Sequence, residues 1–235
     1  MHDRLLEAGK VVFSSLSYDE ARVLDIVQEA GCSTGSFYRR FKDKDSFFLA
    51  LQRSIVAHHI ANIDKFFDRA AESDESDFDV IHRYVLGTCR AMSRQRGFWR
   101  ALFQRSMRGE NVLDEMSRTD LHARDRLMGF LRSRGTPDLP DPDFQVYLAL
   151  RTIHGALAHL ILNPSKRLDL ADPRVLRGMA MMMASSLGIA VPVDDHQHAS
   201  ADLTSRRRRP GDRPKPAPKT RPPAPVSGAA ATHQR

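Results

Sequence analysis

The sequence predicts an all-α protein, and two observations carry that prediction. Nearly every segment before residue 190 repeats its apolar residues with the period of an α-helix, and no long stretch alternates apolar with polar residues as a strand does. With 41% hydrophobic residues among 235, the chain can bury a core of ordinary size. The first helical stripe consists of Leu5, Leu6, Gly9, Val12, Phe13 and Leu16.

A second predicted helix follows a short joint after the first. Ser17 stands three residues before Glu20, which is the spacing of a capping box at a helix start. The apolar stripe of this helix contains Ile26 and Val27. Gly31 is a good helix stop, because glycine adopts the left-handed backbone conformation without strain.

Further helix starts and breakers divide the rest of the chain. Ser33 can cap a third helix, and Asp43 or Asp45 can begin a fourth that continues towards Phe67. Glycines and prolines, Gly97 among them, separate the later segments. The longer helices are predicted at 77–95, 98–107, 110–134, 142–163 and 172–188.

The positive charge of the chain is concentrated at its C-terminal end. Residues Thr204 to Arg235 hold nine Lys/Arg and one acid, whereas the preceding 203 residues hold 27 Lys/Arg and 28 Asp/Glu. This basic segment also contains seven of the 13 prolines and almost no large apolar residues. Such a segment cannot offset its ordering entropy by burial, so a disordered Pro/Arg-rich tail is predicted over 191–235.

Several function classes lack support in the sequence. Cys32 and Cys89 cannot form a disulfide framework in a chain of this size. No secretory signal or membrane-spanning stretch is visible, so a cytoplasmic protein without a membrane partner is expected. No metal-ligand spacing, nucleophile elbow or glycine-rich phosphate loop stands out, so no enzyme activity, cofactor or metal site is expected.

Residues 19–41 have the form of a helix-turn-helix. A tight turn at Ala30-Gly31-Cys32 lets two short helices cross steeply, so that the second exposes its N-terminal half. That half reads Ser33-Thr34-Gly35-Ser36, small polar residues that allow close approach to DNA. Tyr38, Arg39 and Arg40 follow, whose phenol and guanidinium groups suit phosphates and guanine edges, and Lys42 and Lys44 come at the next helix start.

This segment resembles the TetR-type transcriptional regulators. The resemblance covers about residues 5–51; beyond them only helix number and length agree. The matching residues are Ile26, the run Glu29-Ala30-Gly31-Cys32-Ser33-Thr34-Gly35-Ser36-Phe37-Tyr38-Arg39-Arg40-Phe41, then Lys44-Asp45 and Phe47-Phe48. Two departures are Ala21, where many members have a capping threonine, and Val27, where many have a smaller alanine.

The resemblance implies roles for eight DNA-binding residues. Those at positions that approach bases are Thr34, Gly35, Ser36 and Arg39. Those at positions that usually hold phosphates are Ser33, Tyr38, Arg40 and Lys44. The alternative, a generic three-helix packing unit with surface arginines, does not explain an ordered match of this length. Phe37, Phe41, Phe47 and Phe48 are interpreted as core residues.

An effector pocket is expected among the middle helices, where the family places its ligand cavity. The segment from Gly97 to Phe103 is rich in aromatic side chains, which suits a cavity wall but also an ordinary core. Aromatic residues and methionines hint at an apolar effector. The candidate lining residues are Tyr84, Thr88, Trp99, Phe103, Met107, Met116, Tyr147 and His154.

The last two helices are predicted to form a homodimer interface. Residues 142–163 and 172–188 are apolar over much of their circumference, so both helices must be covered. In the family such helices pair with their symmetry mates as a four-helix bundle. The alternative is a pair of helices buried within a monomer.

Taken with the resemblance, these features predict a DNA-binding domain at 1–48, an effector-binding and dimerisation domain at 49–190, and the tail at 191–235. The expected function is that of a repressor that a small-molecule effector releases from a palindromic operator on double-stranded DNA. A ligand-blind architectural DNA-binding protein that relies on the basic tail is the first alternative. An enzyme or sequestering protein on the same helical scaffold is the second.

Overall fold

The computed structural model describes residues 1–135 and 139–192, and over these residues the prediction of an all-α fold is confirmed. The predicted tail lies outside the described residues from 193 onward. No helix among the described residues combines the length and apolar character needed to cross a bilayer. The helices are α1 (His2–Ser15), α2 (Val23–Glu29), α3 (Thr34–Tyr38), α4 (Lys44–Ala71), α5 (Asp77–Arg94), α6 (Arg96–Met107), α7 (Asp114–Ser133), α8 (Pro142–Leu162) and α9 (Pro173–Ser186).

Side-chain caps place the starts of α3 and α4 where the sequence predicts them. The Ser33 hydroxyl accepts a hydrogen bond from the backbone N–H of Ser36 at 3.2 Å. The Asp43 carboxylate accepts from the backbone N–H of Ser46 at 2.7 Å, and the Ser46 hydroxyl accepts from the backbone N–H of Asp43 at 3.1 Å. This reciprocal pair is a capping box, and it begins the longest helix of the fold.

The start of α2 differs from the prediction. Ser17 and Glu20 do form the expected reciprocal pair, with the backbone N–H of Ser17 donating to the Glu20 carboxylate at 2.9 Å. The pair closes a turn rather than a helix, and α2 begins only at Val23. The carbonyl groups of Tyr18 and Ala21 in this turn accept hydrogen bonds from the ammonium of Lys44 in α4.

Two hydrophobic cores share α4. The first core joins α1, α2, α3 and the start of α4 to α6, and its largest buried side chains are Phe13, Phe37, Phe47, Phe48 and Phe98. The second core joins the end of α4 to α5, α7, α8 and α9, and includes Phe67, Ile81, Leu127, Leu150 and Met183. Trp99 of α6 packs against both cores. Helices α4 and α6 therefore connect the helix-turn-helix to the rest of the chain.

Gly97 is not the break between α5 and α6 that the sequence predicts. The chain turns at Gln95, and Gly97 lies within α6 where that helix crosses α1. A Cβ atom at Gly97 would stand 1.7 Å from the carbonyl oxygen of Phe13. The glycine is therefore a close-contact residue that lets α6 lie directly on the backbone of α1.

Candidate DNA-binding site and ligand cavity

The turn between α2 and α3 is closed by backbone bonds and by a side chain of α1. Gly31 has φ +58°, and the next amide, that of Cys32, donates to the Val27 carbonyl at 2.9 Å. This is the hydrogen-bond pattern of a glycine-terminated helix. The Arg4 guanidinium donates to the carbonyl of Ala30 at 2.5 Å and so ties the turn to α1.

Helix α3 buries Ser36 and Phe37 and presents its other residues to solvent. Phe37 is completely buried among the rings of the first core. Thr34, Gly35 and Arg39 are exposed, and Tyr38 is 55% exposed. Because these two neighbouring residues hold so short a helix, its opposite face is available to a partner.

The hydroxyl of Ser36 organises the polar side chains around α3. Ser36 itself is buried, and its hydroxyl oxygen lies 3.1 Å from that of Ser33. Arg39 donates to the Ser36 hydroxyl at 3.2 Å, and Arg40 donates to the Ser36 carbonyl at 3.1 Å. In this conformation Ser36 therefore orients two exposed guanidinium groups, instead of standing exposed itself.

Lys44 is directed into the protein. Its ammonium donates to the carbonyls of Tyr18 at 2.8 Å and Ala21 at 2.9 Å, and it lies 4.3 Å from the centre of the Tyr18 ring. Two of its three N–H donors are thus used to attach α4 to the turn before α2. One donor remains for an external acceptor such as a phosphate.

A buried arginine connects α6 to the start of α4. Arg105 has only 7% of its side chain exposed, and it forms ion pairs with Asp45 at 2.9 Å and with Glu110. Its guanidinium also lies 4.4 Å from the centre of the Tyr18 ring, and the Tyr18 hydroxyl donates to Asp45. The pKa of Tyr18 is raised by burial and by this hydrogen bond, so the hydroxyl keeps its proton.

A cavity of about 460 Å³ lies between α4, α5, α6, α7 and α8. Its volume falls in the range of small-molecule sites. Six of the candidate residues from the sequence line it: Tyr84, Thr88, Trp99, Phe103, Met116 and His154. Much of the remaining wall is apolar, with Ile63, Phe66 and Met92 as examples.

The other two candidate lining residues, Met107 and Tyr147, lie beyond the ends of this cavity. Met107 is 81% exposed, one turn after the lining residue Phe103. Tyr147 is half-buried and lies one turn before the lining residue Arg151. Both are on the correct helix face, but helical periodicity does not reveal where a cavity ends.

One wall of the cavity carries a bonded polar chain. The Asp120 carboxylate lies 2.9 Å from Nδ1 of His154 and accepts from the guanidinium of Arg151 at 2.5 Å. Burial raises the pKa of Asp120, but the bonds and charges of these two partners outweigh it and hold the pKa below its usual value. Nδ1 of His154 faces this carboxylate, and its Nε2 lies 3.2 Å from the Tyr84 hydroxyl.

His59 of α4 also lines this cavity. Burial lowers the pKa of His59 to about 4, with smaller contributions from the neighbouring imidazoles of His58 and His154. The imidazole is therefore neutral at pH 7. Its Nε2 atom is buried and has no hydrogen-bond partner among the described residues.

The sequence reasoning missed Arg105, Asp120 and His59. Arg105 and Asp120 could have been recognised in the sequence, because each occupies a position in an otherwise apolar helical stripe. The buried residues of α6 are Phe98, Ala101, Leu102 and Arg105. Those of α7 include Met116, Asp120, Ala123 and Leu127. A charged residue in such a position predicts a buried ion pair or a cavity.

Residues 5–51 match the sequence profile described as bacterial regulatory proteins of the tetR family. This match covers α1, the helix-turn-helix and the beginning of α4. The chain is a member of the TetR family.

Two relatives of this TetR-family protein are regulators by name. It is 26% identical to the HTH-type transcriptional repressor Rv1474c of Mycobacterium tuberculosis over 185 residues, which is 74% of this chain and 92% of the relative. It is 31% identical over 62 residues to the HTH-type transcriptional regulator YvdT of Bacillus subtilis, an uncharacterized protein. That second match spans 26% of this chain and only about a third, 32%, of YvdT.

The fold also matches solved TetR-family structures. A Mesorhizobium loti protein assigned to the family superposes with a TM-score of 0.65 at 15% identity, over 78% of this chain and 95% of that one. The family and these relatives are transcriptional regulators, not enzymes. No group of three or more His, Cys, Asp or Glu that could hold a metal ion occurs in the described part of this TetR-family chain.

Proposed function

We propose that this protein is a cytoplasmic homodimeric repressor that binds a palindromic operator and releases it when a small molecule enters the cavity. Residues 1–48 bind DNA, and residues 49–190 bind the effector and form the dimer. The observation that carries the proposal is the exposed face of α3, which displays Tyr38 and Arg39 next to a glycine and is anchored from behind by Phe37.

Gly35 supports a close approach of DNA to this face. Its only neighbour within 4 Å of an added Cβ would be the Ser33 hydroxyl oxygen at 3.8 Å, an ordinary contact. The packing of the protein does not require a glycine here, and glycine costs helical stability. A partner that lies against the α3 backbone explains the residue. Thr34, Gly35 and Arg39 then approach bases, and the buried Ser36 acts by orienting Arg39. Ser33, Tyr38, Arg40 and the remaining donor of Lys44 hold phosphates.

The dimer brings two such faces to one duplex. Large apolar side chains are exposed on α8 and α9, with Phe144 at 58%, Leu148 at 51% and Met182 at 65%. Leu148 and Met182 also border a groove between these two helices. An exposed apolar surface of this kind fits a self-complementary interface. The two-fold axis of such a dimer implies a two-fold symmetric operator.

Helix α6 provides the connection between effector and DNA. Trp99 and Phe103 line the cavity, while Phe98 of the same helix belongs to the first core and Arg105 lies over the Tyr18 ring of that core. A ligand that displaces Trp99 therefore shifts Arg105 and, through its ion pair with Asp45, the first turn of α4. Movement of α4 changes the spacing of the two reading helices. Couplings of this kind amount to about 1–3 kcal/mol.

Footprinting on the DNA upstream of the protein's own gene tests the proposal. We expect protection of a two-fold symmetric segment whose half-sites lie about one helical turn, or a multiple of it, apart. Native mass spectrometry identifies a co-purified ligand, and addition of that ligand should weaken operator binding. Equal binding to the segment and to scrambled DNA at physiological ionic strength would refute DNA recognition. An unchanged operator affinity at saturating ligand would refute the release mechanism.

The architectural alternative rests on the charge of the C-terminal segment, which the described structure does not cover. It predicts weak sequence preference and loss of DNA binding in a chain that ends at Pro192. The repressor proposal predicts that this shorter chain still prefers the operator, with a shallower dependence of affinity on salt, because fewer counterions are released. An unchanged salt dependence would show that the tail does not contact DNA.

A further inference from the structure

Three buried polar atoms on residues that line the cavity have no hydrogen-bond partner among the described residues. They are the indole Nε1 of Trp99, the hydroxyl of Thr119 and Nε2 of His59. Thr119 is only 8% exposed. The indole N–H can only donate, a hydroxyl can donate, and a neutral imidazole nitrogen does either. Since buried polar groups are nearly always bonded, these atoms require partners that the protein does not provide.

The charged groups around the cavity are already neutralised or solvated. Both oxygens of Asp120 are engaged by His154 and Arg151, so a cationic ligand would have to compete with two existing partners. His59 is neutral, because burial lowers its pKa to about 4. Arg94 borders the cavity but is exposed to solvent. A charged ligand would lose its hydration in the interior without gaining a free counter-charge.

We propose that the effector is an uncharged, largely apolar molecule with carbonyl or ether oxygens that accept hydrogen bonds from Trp99 Nε1 and the Thr119 hydroxyl. The apolar wall holds the body of the molecule, and the two donors select its oxygen atoms. The inference rests on the proposed function only in naming the cavity as the effector site. The binding preference itself follows from the buried donors and the lack of an unpaired buried charge.

Four probes on one carbon frame test this preference. They are 1,5-diphenylpentan-3-one, the hydrocarbon 1,5-diphenylpentane, 1,5-diphenylpentan-3-amine as a cation and the corresponding 3-carboxylic acid as an anion. Trp99 is the single tryptophan of the chain, so its emission reports directly on the cavity. Calorimetry measures the affinities in the full-length protein without DNA. The ketone should bind more tightly than either ion, and tighter binding of the amine or the carboxylate would overturn the proposal.

Thr119→Val isolates the hydroxyl contact at nearly constant volume. The affinity for the ketone should fall about tenfold, as expected for one lost hydrogen bond, while that for the hydrocarbon stays the same. Trp99→Phe, which removes the indole N–H, should likewise lower the affinity for the ketone and leave the affinity for the hydrocarbon the same. The matched control is Thr88→Val, which also alters the cavity wall but removes a hydroxyl already bonded to Tyr84. This control should leave the ketone's advantage in place.

Thermal unfolding of the ligand-free variants separates binding from stability. Loss of an unpartnered buried hydroxyl should leave the melting temperature of Thr119→Val unchanged or raise it, whereas a hydroxyl with a structural partner would lower it. If the ketone does not bind, or if Thr119→Val weakens both uncharged probes equally, the proposal is wrong. Because no DNA is present, these outcomes are independent of whether an operator is found.

Discussion

Replacement of Gly97 by alanine should destabilise the fold by about 3 kcal/mol, the upper part of the usual range for overpacking. The added Cβ would stand 1.7 Å from the Phe13 carbonyl oxygen and 2.9 Å from the carbonyl carbon of Ser14. Both neighbours are backbone atoms within α1, so no side-chain rotation relieves the overlap. Helix α6 must instead move away from α1. Urea unfolding followed by circular dichroism measures the free energy of unfolding.

Gly129→Ala is the matched control for this experiment. Gly129 lies in the interior of α7 and is exposed, and among the described residues an added Cβ would meet no atom within 4 Å beyond its chain neighbours and the backbone of its own helix. Alanine there should stabilise the protein by up to about 1 kcal/mol, because it forms helix more readily than glycine. If Gly97→Ala unfolds at the same urea concentration as the original protein, α6 does not lie as close to α1 as described.

Loss of Arg39 or Tyr38 should nearly abolish operator binding. Each substitution by alanine removes one contact from both half-sites of the proposed dimer. At about 1–3 kcal/mol per specific contact, the loss is about 2–6 kcal/mol, which is thirtyfold or more in affinity. Both side chains are exposed on α3, so the dimer should remain intact. Fluorescence anisotropy with the footprinted operator and light scattering measure these two properties.

Two further substitutions make this experiment specific. Arg132→Ala removes an exposed arginine from α7, outside the reading face, and should leave operator affinity nearly unchanged. Gly35→Ala should leave the fold intact and still weaken DNA binding, because the new methyl group would stand between α3 and the duplex. Dissociation of the dimer by Arg39→Ala or Tyr38→Ala, or full operator affinity in either variant, would contradict the proposed reading face.

Local signals in the sequence were sufficient for several elements. Ser33 and Asp43 begin α3 and α4 as predicted, because a side-chain cap involves only residues three positions apart. The same reasoning failed for α2. The Ser17–Glu20 pair exists, but the turn that it closes is held by Lys44, which is more than twenty residues away. A local pattern does not reveal that a distant ammonium binds the carbonyls of the turn.

For the cavity, too, the sequence predicted some of the lining residues and missed others. Aromatic and methionine content, together with the family resemblance, indicated six residues that line it, including Trp99 and His154, but also Met107, which lies beyond the cavity. Asp120 was missed, although a carboxylate in an apolar stripe was visible in the sequence. Its meaning depends on the partners that α8 provides, and those partners are set by how α7 and α8 pack.

The sequence by itself determined the all-α class, the helix-turn-helix at 19–41 and the membership of the TetR family, because these depend on periodicity, caps and the order of residue types within a short segment. Only the tertiary structure decided that Lys44 faces inward, that Gly97 is a contact rather than a break, and that Arg105 joins α6 to α4. Each of these facts is a contact between residues far apart in the chain. Such contacts arise from the packing of whole helices, which no local pattern encodes.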